Sequence, residues 1–123
     1  MHTAGTASPE AGLRREALTE HTVITITGDL DIASAPSLRG PLETALRDAG
    51  PLVVIDLSEV TFCDAAGLAL LTGARRVAEP EGVTLVLAAP RPHMVRLLRV
   101  SGLARVFAVR PTVDAAHIRS AAA

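Results

Sequence analysis

The apolar run in the middle of the chain, Leu52-Val53-Val54-Ile55-Asp56-Leu57, constrains the fold more than any other feature. A strand that is buried on one face alternates apolar and polar residues, whereas a continuous apolar run is typical of a strand covered on both faces. Such a strand lies in the centre of a sheet, where other strands pair with it and helices pack on it. The run therefore predicts an α/β fold.

Strand signals recur on both sides of this run. Val23 to Thr27 is β-branched and alternates with period two, and Gly28 to Asp31 is expected to end that strand and open a loop. The remaining strand predictions are an edge strand over residues 13–20, a strand over 83–88 and a short last strand over 105–109. Residues 58–63 are expected to form a turn after the central run.

Helix signals lie between the strands. Ser34 is expected to cap a helix that ends at Gly50, and Pro41 inside it predicts either a kink or a later start. The other predicted helices run from Asp64 to Glu79-Pro80, from about Pro92 to Val100, and from Pro111 or Thr112 through Ile118. Strands that alternate with helices predict a largely parallel or mixed sheet with helices packed on it.

The length of 123 residues fits one domain. Residues 1–10 are small and polar and lack the apolar core of a signal peptide, so we expect a disordered tail followed by a domain over residues 11–120. The apolar stretches are too short to span a bilayer. A single cysteine, Cys63, excludes an internal disulfide framework and agrees with a reducing cytoplasm.

Composition removes several function classes. The chain has no lysine, which excludes a Schiff-base lysine and the lysine of a phosphate-binding P-loop. Its net charge of -1 provides no general attraction to nucleic acid or to an anionic membrane. We therefore expect neither nucleic acid nor membrane as a direct partner.

No constellation of residues predicts an enzyme. The four histidines lie at 2, 21, 93 and 117 without metal-ligand spacing, and the chain has no Gly-x-Ser-x-Gly elbow. Asp29, Asp31 and Asp64 could converge on a divalent cation, but we favour the interpretation that the first two shape a turn and the third caps a helix. We predict no catalytic residue, no metal and no cofactor.

The segment from Gly82 to Val113 has five arginines (91, 96, 99, 105 and 110) and no acidic residue. Such a segment could form a basic face for an acidic partner, for nucleic acid or for a small anion. Because the chain lacks interleaved aromatic residues there, a solvated helix face is favoured.

The most informative local motif is Phe62-Cys63-Asp64-Ala65-Ala66-Gly67-Leu68. Asp64 can cap the helix that follows, and Cys63 and Leu68 occupy the positions of a hydrophobic staple. Gly67 lowers helix propensity by ~1 kcal/mol relative to alanine, which indicates a close approach by a neighbouring loop or by a partner. From the residues alone, a capped helix and a small, approachable binding surface are equally good interpretations.

Four segments in order resemble the STAS domain of bacterial anti-sigma factor antagonists. They are residues 26–31 (ITGDLD), residues 53–62 (VVIDLSEVTF), residues 64–68 (DAAGL) and residues 100–103 (VSGL), and the resemblance spans about residues 13–118. It implies the STAS fold, a mixed sheet of four or five strands flanked by about four helices. It also implies a partner, an anti-sigma factor of the ATP-binding serine kinase type, whose capture releases a sigma factor.

In such families the kinase commonly inactivates the antagonist by phosphorylating a serine directly after the motif's aspartate. The matching residue here is Ala65, which has no hydroxyl group. The resemblance therefore predicts a cytoplasmic binding module that escapes phosphorylation at this position. The alternative is a non-catalytic STAS scaffold that assembles with other STAS proteins, and weak homodimerisation is left open.

Given the resemblance, we expect a partner-facing surface around the start of the predicted Asp64 helix. Asp31 and Asp64 would supply polar contacts, and Ala65 and Gly67 would permit close approach. The full expected set is Asp29, Asp31, Ser34, Asp64, Ala65, Ala66 and Gly67.

Overall fold

A computed structural model describes residues 11–47 and 49–116 of the chain. Within these ranges one five-stranded sheet has the order β1-β2-β3-β4-β5. The strands are β1 (Gly12–Ala17), β2 (Thr22–Leu30), β3 (Leu52–Cys63), β4 (Thr84–Ala88) and β5 (Ala108–Arg110). β1 is antiparallel to β2, and the pairs from β2 to β5 are parallel. The predicted mixed sheet of an α/β fold is confirmed.

Three α-helices connect the strands: α1 (Ala35–Arg47), α2 (Ala65–Ala78) and α3 (Pro92–Val100). Short 3-10 turns follow α2 at Glu79–Glu81 and α3 at Leu103–Arg105. Residues 113–116 are also helical, and the backbone N–H of Ala115 donates to Thr112 Oγ1 at 2.9 Å. The last helix therefore begins where the sequence predicts, whereas Ile118 and the predicted tail over residues 1–10 lie outside the described residues. No helix in the described ranges is long and apolar enough to cross a membrane.

The apolar residues form two clusters on opposite faces of the sheet. The larger cluster contains alternate strand residues such as Val53 and Ile55 together with buried residues of all three helices. The smaller one contains Val54 and Val86 and is completed by Ala116. Because Val53 and Val54 are both 0% exposed, the central strand is covered on both faces, as the apolar run predicts.

Two predictions of strand ends are wrong. β2 does not end at Thr27 but continues to Leu30, and residues 58–63 form the second half of β3 rather than a turn. The two strands stay paired to Leu30 and Cys63 through two register shifts, and Gly28 takes a φ of 85° at the second shift. Glycine adopts this conformation without the steric cost that other residues meet, so Gly28 marks an irregularity within the strand and not its end.

Smaller differences concern element bounds. The first strand ends at Ala17 instead of Glu20, because Leu18 N–H turns back to donate to the His21 carbonyl. The last strand spans Ala108–Arg110, since Leu103–Arg105 forms a 3-10 turn. α1 begins at Ala35 and runs through Pro41, so the predicted later start is wrong.

Candidate functional site

The predicted site lies where β2 and β3 end side by side. Leu30 and Cys63 are the last paired residues of these parallel strands. The chain leaves β2 through the loop Asp31–Ser34 into α1, and it leaves β3 through Asp64 directly into α2. Two segments that are more than thirty positions apart in sequence therefore meet at one edge of the sheet.

Asp64 joins these two segments. Its Oδ1 accepts hydrogen bonds from the N–H groups of Ala66 at 2.9 Å and Gly67 at 3.2 Å, which confirms the predicted cap of α2. Its Oδ2 accepts from the N–H of Ile32 at 3.3 Å, and its own N–H donates to the Leu30 carbonyl at 3.2 Å. A negative charge is favourable at the amino end of a helix, so one carboxylate both stabilises α2 and holds the loop against it.

Asp31 and Ser34 close the loop by bonding to each other. Asp31 Oδ1 accepts from the N–H groups of Ala33 and Ser34, both at 3.0 Å, while Ser34 Oγ accepts from the N–H of Asp31 at 3.0 Å. This reciprocal pattern is that of a capping box. The Ser34 hydroxyl also donates to the Asp29 carbonyl at 2.7 Å. The prediction that Ser34 is the capping residue of α1 is therefore wrong, because in this pattern Asp31 accepts from the N–H groups that follow it and Ser34 bonds back to Asp31.

Asp29 is oriented by a residue that is not among the predicted site residues. Thr61, on the neighbouring strand β3, donates its hydroxyl hydrogen to Asp29 Oδ1 at 2.8 Å. The contact depends on the continuation of β3 beyond Leu57, and a sequence reading that ends the strand there does not reveal it. All three aspartates thus use carboxylate oxygens to hold local structure.

This use of the aspartates favours the structural interpretation over a cation site. Among residues 11–47 and 49–116, no group of three or more histidine, cysteine, aspartate or glutamate side chains could hold a metal ion. Asp31 shapes the loop and Asp64 caps α2, as the favoured interpretation predicts. The turn role predicted for Asp29 is wrong, because Asp29 lies within β2 and its carboxylate bonds across the sheet to Thr61.

Gly67 serves a close approach within the chain. It is buried, and a Cβ atom added there would lie next to the Leu30 carbonyl oxygen, 2.7 Å from Cys63 Sγ and 2.9 Å from Leu30 Cγ. The sequence leaves open whether a neighbouring loop or a partner approaches Gly67 closely. The structure shows that the neighbouring segment at Leu30 and Cys63 does so. Gly67 therefore supports the site from below and does not face the solvent.

Cys63 lies beneath the same helix start. It is 3% exposed and belongs to the larger apolar cluster together with Leu68, as a hydrophobic staple requires. Burial, with a smaller contribution from the Asp64 carboxylate, raises the pKa of Cys63 to about 12. The thiol therefore stays protonated at neutral pH, where it is a poor nucleophile.

The surface above these residues is small and apolar. Ala65 is exposed, Ala66 is half-buried, and two larger apolar side chains stand beside the aspartate: Ile32 is 76% exposed and Phe62 is 47% exposed. The Phe62 ring stacks on His93 at the start of α3, with ring centroids 6.4 Å apart and planes 15° apart.

Ile32 and Phe62 are absent from the predicted site residues. The sequence indicates the exposure of Ile32, because an isoleucine in a loop between Asp31 and Ala33 has no helix or strand face that would bury it. Large exposed apolar side chains of this kind are typical of a protein-binding surface, because a partner that covers them removes apolar area from water.

Comparison with protein families agrees with the α/β fold described above. The family model described as "Mlab, STAS domain" matches residues 13–111, which is most of the chain. The anti-sigma-B factor antagonist of Listeria monocytogenes is 29% identical over 96 residues, covering 78% of this chain and 84% of that protein. The anti-sigma-B factor antagonist of Bacillus subtilis is 31% identical over 80 residues, covering 65% of this chain and 72% of that protein.

Solved structures show the same similarity in three dimensions. The crystal structure of an anti-sigma factor antagonist from Mycobacterium paratuberculosis superimposes with a TM-score of 0.81 at 27% identity. The superposition covers 89% of this chain and 93% of that one.

The close contacts of Gly67 lead to a stability prediction with a matched control on the same helix. Gly67→Ala should destabilise the protein by about 1–3 kcal/mol, because the new methyl group must displace Leu30 or Cys63. Gly73→Ala should instead stabilise it by about 0.5–1 kcal/mol, because a Cβ at Gly73 meets nothing within 4 Å and alanine favours the helix. Urea unfolding followed by circular dichroism measures both changes, and equal effects of the two substitutions would contradict the packing described here.

Proposed function

This chain belongs to the STAS domain family, and we propose that within it the protein acts as an anti-sigma factor antagonist. It binds an anti-sigma factor and thereby frees a sigma factor, without catalysing a reaction itself. The observation that carries the proposal is the similarity, over 78% of this chain, to a protein named as an anti-sigma-B factor antagonist. Since sigma factors act with RNA polymerase, the proposal places the protein in the cytoplasm of a bacterium.

The proposed partner-binding surface is the α2 start and the loop tied to it. It comprises the residues expected from the sequence, Asp29, Asp31, Ser34, Asp64, Ala65 and Ala66, with Gly67 supporting them from below, and we add Ile32 and Phe62. Ala65, Ile32 and Phe62 contribute the apolar contacts. Asp31 and Asp64 contribute polar contacts through the lone pairs that their internal hydrogen bonds leave free, since an ionised carboxylate has about four acceptor positions.

The residue at position 65 determines whether this surface can be regulated by phosphorylation there. The proposed partner is an ATP-binding serine kinase, and a serine at this exposed position would give it a substrate hydroxyl. A phosphate there would add about -1.5 to -2 charges beside Asp64 and disrupt a closely packed contact. Because Ala65 carries no hydroxyl group, we infer that the protein stays competent to bind in the presence of the kinase and ATP.

A capture experiment tests the function and the surface together. A tagged chain is expressed in its native cell, purified by affinity, and its partners are identified by mass spectrometry. The wild type should retain an anti-sigma factor with an ATP-binding domain. Ala65→Glu should reduce its recovery at least ten-fold, because a longer, charged side chain replaces a methyl group at the centre of the surface, while the helix tolerates a carboxylate in its first turn.

Ala17→Glu is the matched control, since Ala17 is also exposed but lies on β1 away from the α2 start. Its recovery of the partner should equal that of the wild type. Undiminished recovery with Ala65→Glu, in a variant whose circular dichroism is unchanged, would place the interface elsewhere. Recovery of other STAS proteins without an anti-sigma factor would favour the scaffold alternative.

The missing hydroxyl group gives a separate prediction. After incubation of the purified chain with the recovered kinase and ATP, intact mass measurement should find no phosphate on the wild type. Ala65→Ser should acquire one phosphate, because the exposed first turn of α2 would then present a hydroxyl group beside Asp64. Stoichiometric phosphate on the wild type would show that another residue replaces position 65 as the acceptor.

A further inference from the structure

The structure divides the five arginines of residues 82–113 into two groups. Arg91 Nε donates to the Ser58 carbonyl at 2.8 Å, and Arg110, half-buried on β5, donates from Nη1 to the Val109 carbonyl at 3.1 Å. Arg96, Arg99 and Arg105 are exposed. These three arginines, together with Val100 and Val106, are called here the α3 basic face.

The charges of this face are not neutralised by the chain itself. The ion pairs within residues 11–47 and 49–116 involve Arg14, Arg47 and Arg75, and none involves an arginine of the α3 basic face. Glu79 lines a depression together with Val106, but its carboxylate is paired with Arg75 at 2.9 Å. Three positive charges are therefore available to a partner.

Backbone hydrogen bonds hold the face in one shape. The N–H of Gly102 donates to the Arg99 carbonyl at 3.1 Å, and the N–H of Arg105 donates to the Gly102 carbonyl at 3.1 Å. Gly102 takes a φ of 84°, which lets the chain reverse directly after α3 and bring Arg105 back towards Arg99. Buried residues anchor the reversed segment from beneath, namely Met94, Leu98 and Phe107.

Exposed apolar side chains lie among these arginines. Val100 is 80% exposed and follows Arg96 by four positions on the same helix, so the two side chains are neighbours. Val106 is 46% exposed and directly follows Arg105. Arginine is enriched at protein-binding surfaces, and the exposed aliphatic side chains beside these arginines offer apolar area to a partner.

We propose that the α3 basic face is a second docking surface, which binds an acidic segment of another protein whose apolar side chains contact Val100 and Val106. Charge complementarity selects the acidic segment, because the face carries three cations and the whole stretch from Gly82 to Val113 has no acidic residue. A protein segment fits better than nucleic acid, because the face offers aliphatic side chains and no aromatic ring for base stacking.

This surface is separate from the one at the α2 start. α2 and α3 both begin at the edge of the sheet where the parallel strands end, and Asp64 lies at that edge. Val100 is the last residue of α3, and the segment after it leads into the start of β5 at the opposite edge. The two surfaces can therefore be occupied at the same time, and the inference does not depend on the identity of the partner at the α2 start.

The test uses two synthetic peptides added to the full ¹⁵N-labelled chain at low salt. One peptide is a repeat of Glu-Glu-Leu and the other of Glu-Glu-Ser, so they share their charge and differ in apolar side chains. The leucine peptide should shift the backbone amides of residues 96–106, and Arg96→Gln with Arg99→Gln should weaken its binding at least ten-fold. The control is a double substitution of two other exposed arginines, Arg39→Gln with Arg76→Gln. It should leave the affinity for the leucine peptide unchanged.

Val100→Ser separates docking from simple charge attraction. It should weaken binding of the leucine peptide several-fold and leave the weaker binding of the serine peptide unchanged. The proposal is overturned if the peptides bind equally, if the Arg39 and Arg76 substitutions weaken binding as much, or if no amide of residues 96–106 shifts. Tighter binding of a DNA duplex than of the leucine peptide, lost on the same substitutions of Arg96 and Arg99, would overturn it in favour of nucleic acid.

Discussion

The site depends on one carboxylate that bonds to two separate parts of the backbone. Asp64 accepts from the first N–H groups of α2 with Oδ1 and from the loop residue Ile32 with Oδ2. A capping side chain contributes about 1 kcal/mol to a helix, but here the same group also sets the position of the loop after β2. Without it the loop and the helix start would be joined mainly by the strands beneath them, and Ile32 would lose the hydrogen bond that holds it to the start of α2.

Much of the architecture follows from local patterns. The apolar run of β3, the bounds of α3 and the cap at Asp64 depend on neighbours in sequence, and the structure confirms all three. The extension of β2 and β3 could not be predicted in the same way. It depends on pairing between strands far apart in sequence and on register shifts near Gly28, which in isolation is typical of a strand end.

The site likewise contains contacts between residues far apart in sequence, which local patterns do not predict. Ser34 has the residue type of a helix cap, and only the folded loop shows that its oxygen bonds to Asp31 and Asp29 instead. The sequence left two explanations for Gly67, and the proximity of Leu30 distinguishes between them. The aspartates are expected as polar contacts, yet their main bonds are internal, and the large exposed groups of the site are Ile32 and Phe62.

The site therefore joins a hydrogen-bonded polar frame to a small apolar surface that includes Ala65. The most direct measurement is an amide chemical-shift map of the ¹⁵N-labelled chain before and after addition of the anti-sigma factor recovered from its native cell. The expectation is that the largest changes fall on residues 31–34 and 62–67, where the loop and the α2 start meet. Changes confined to other parts of the chain, with residues 31–34 and 62–67 unaffected, would contradict it.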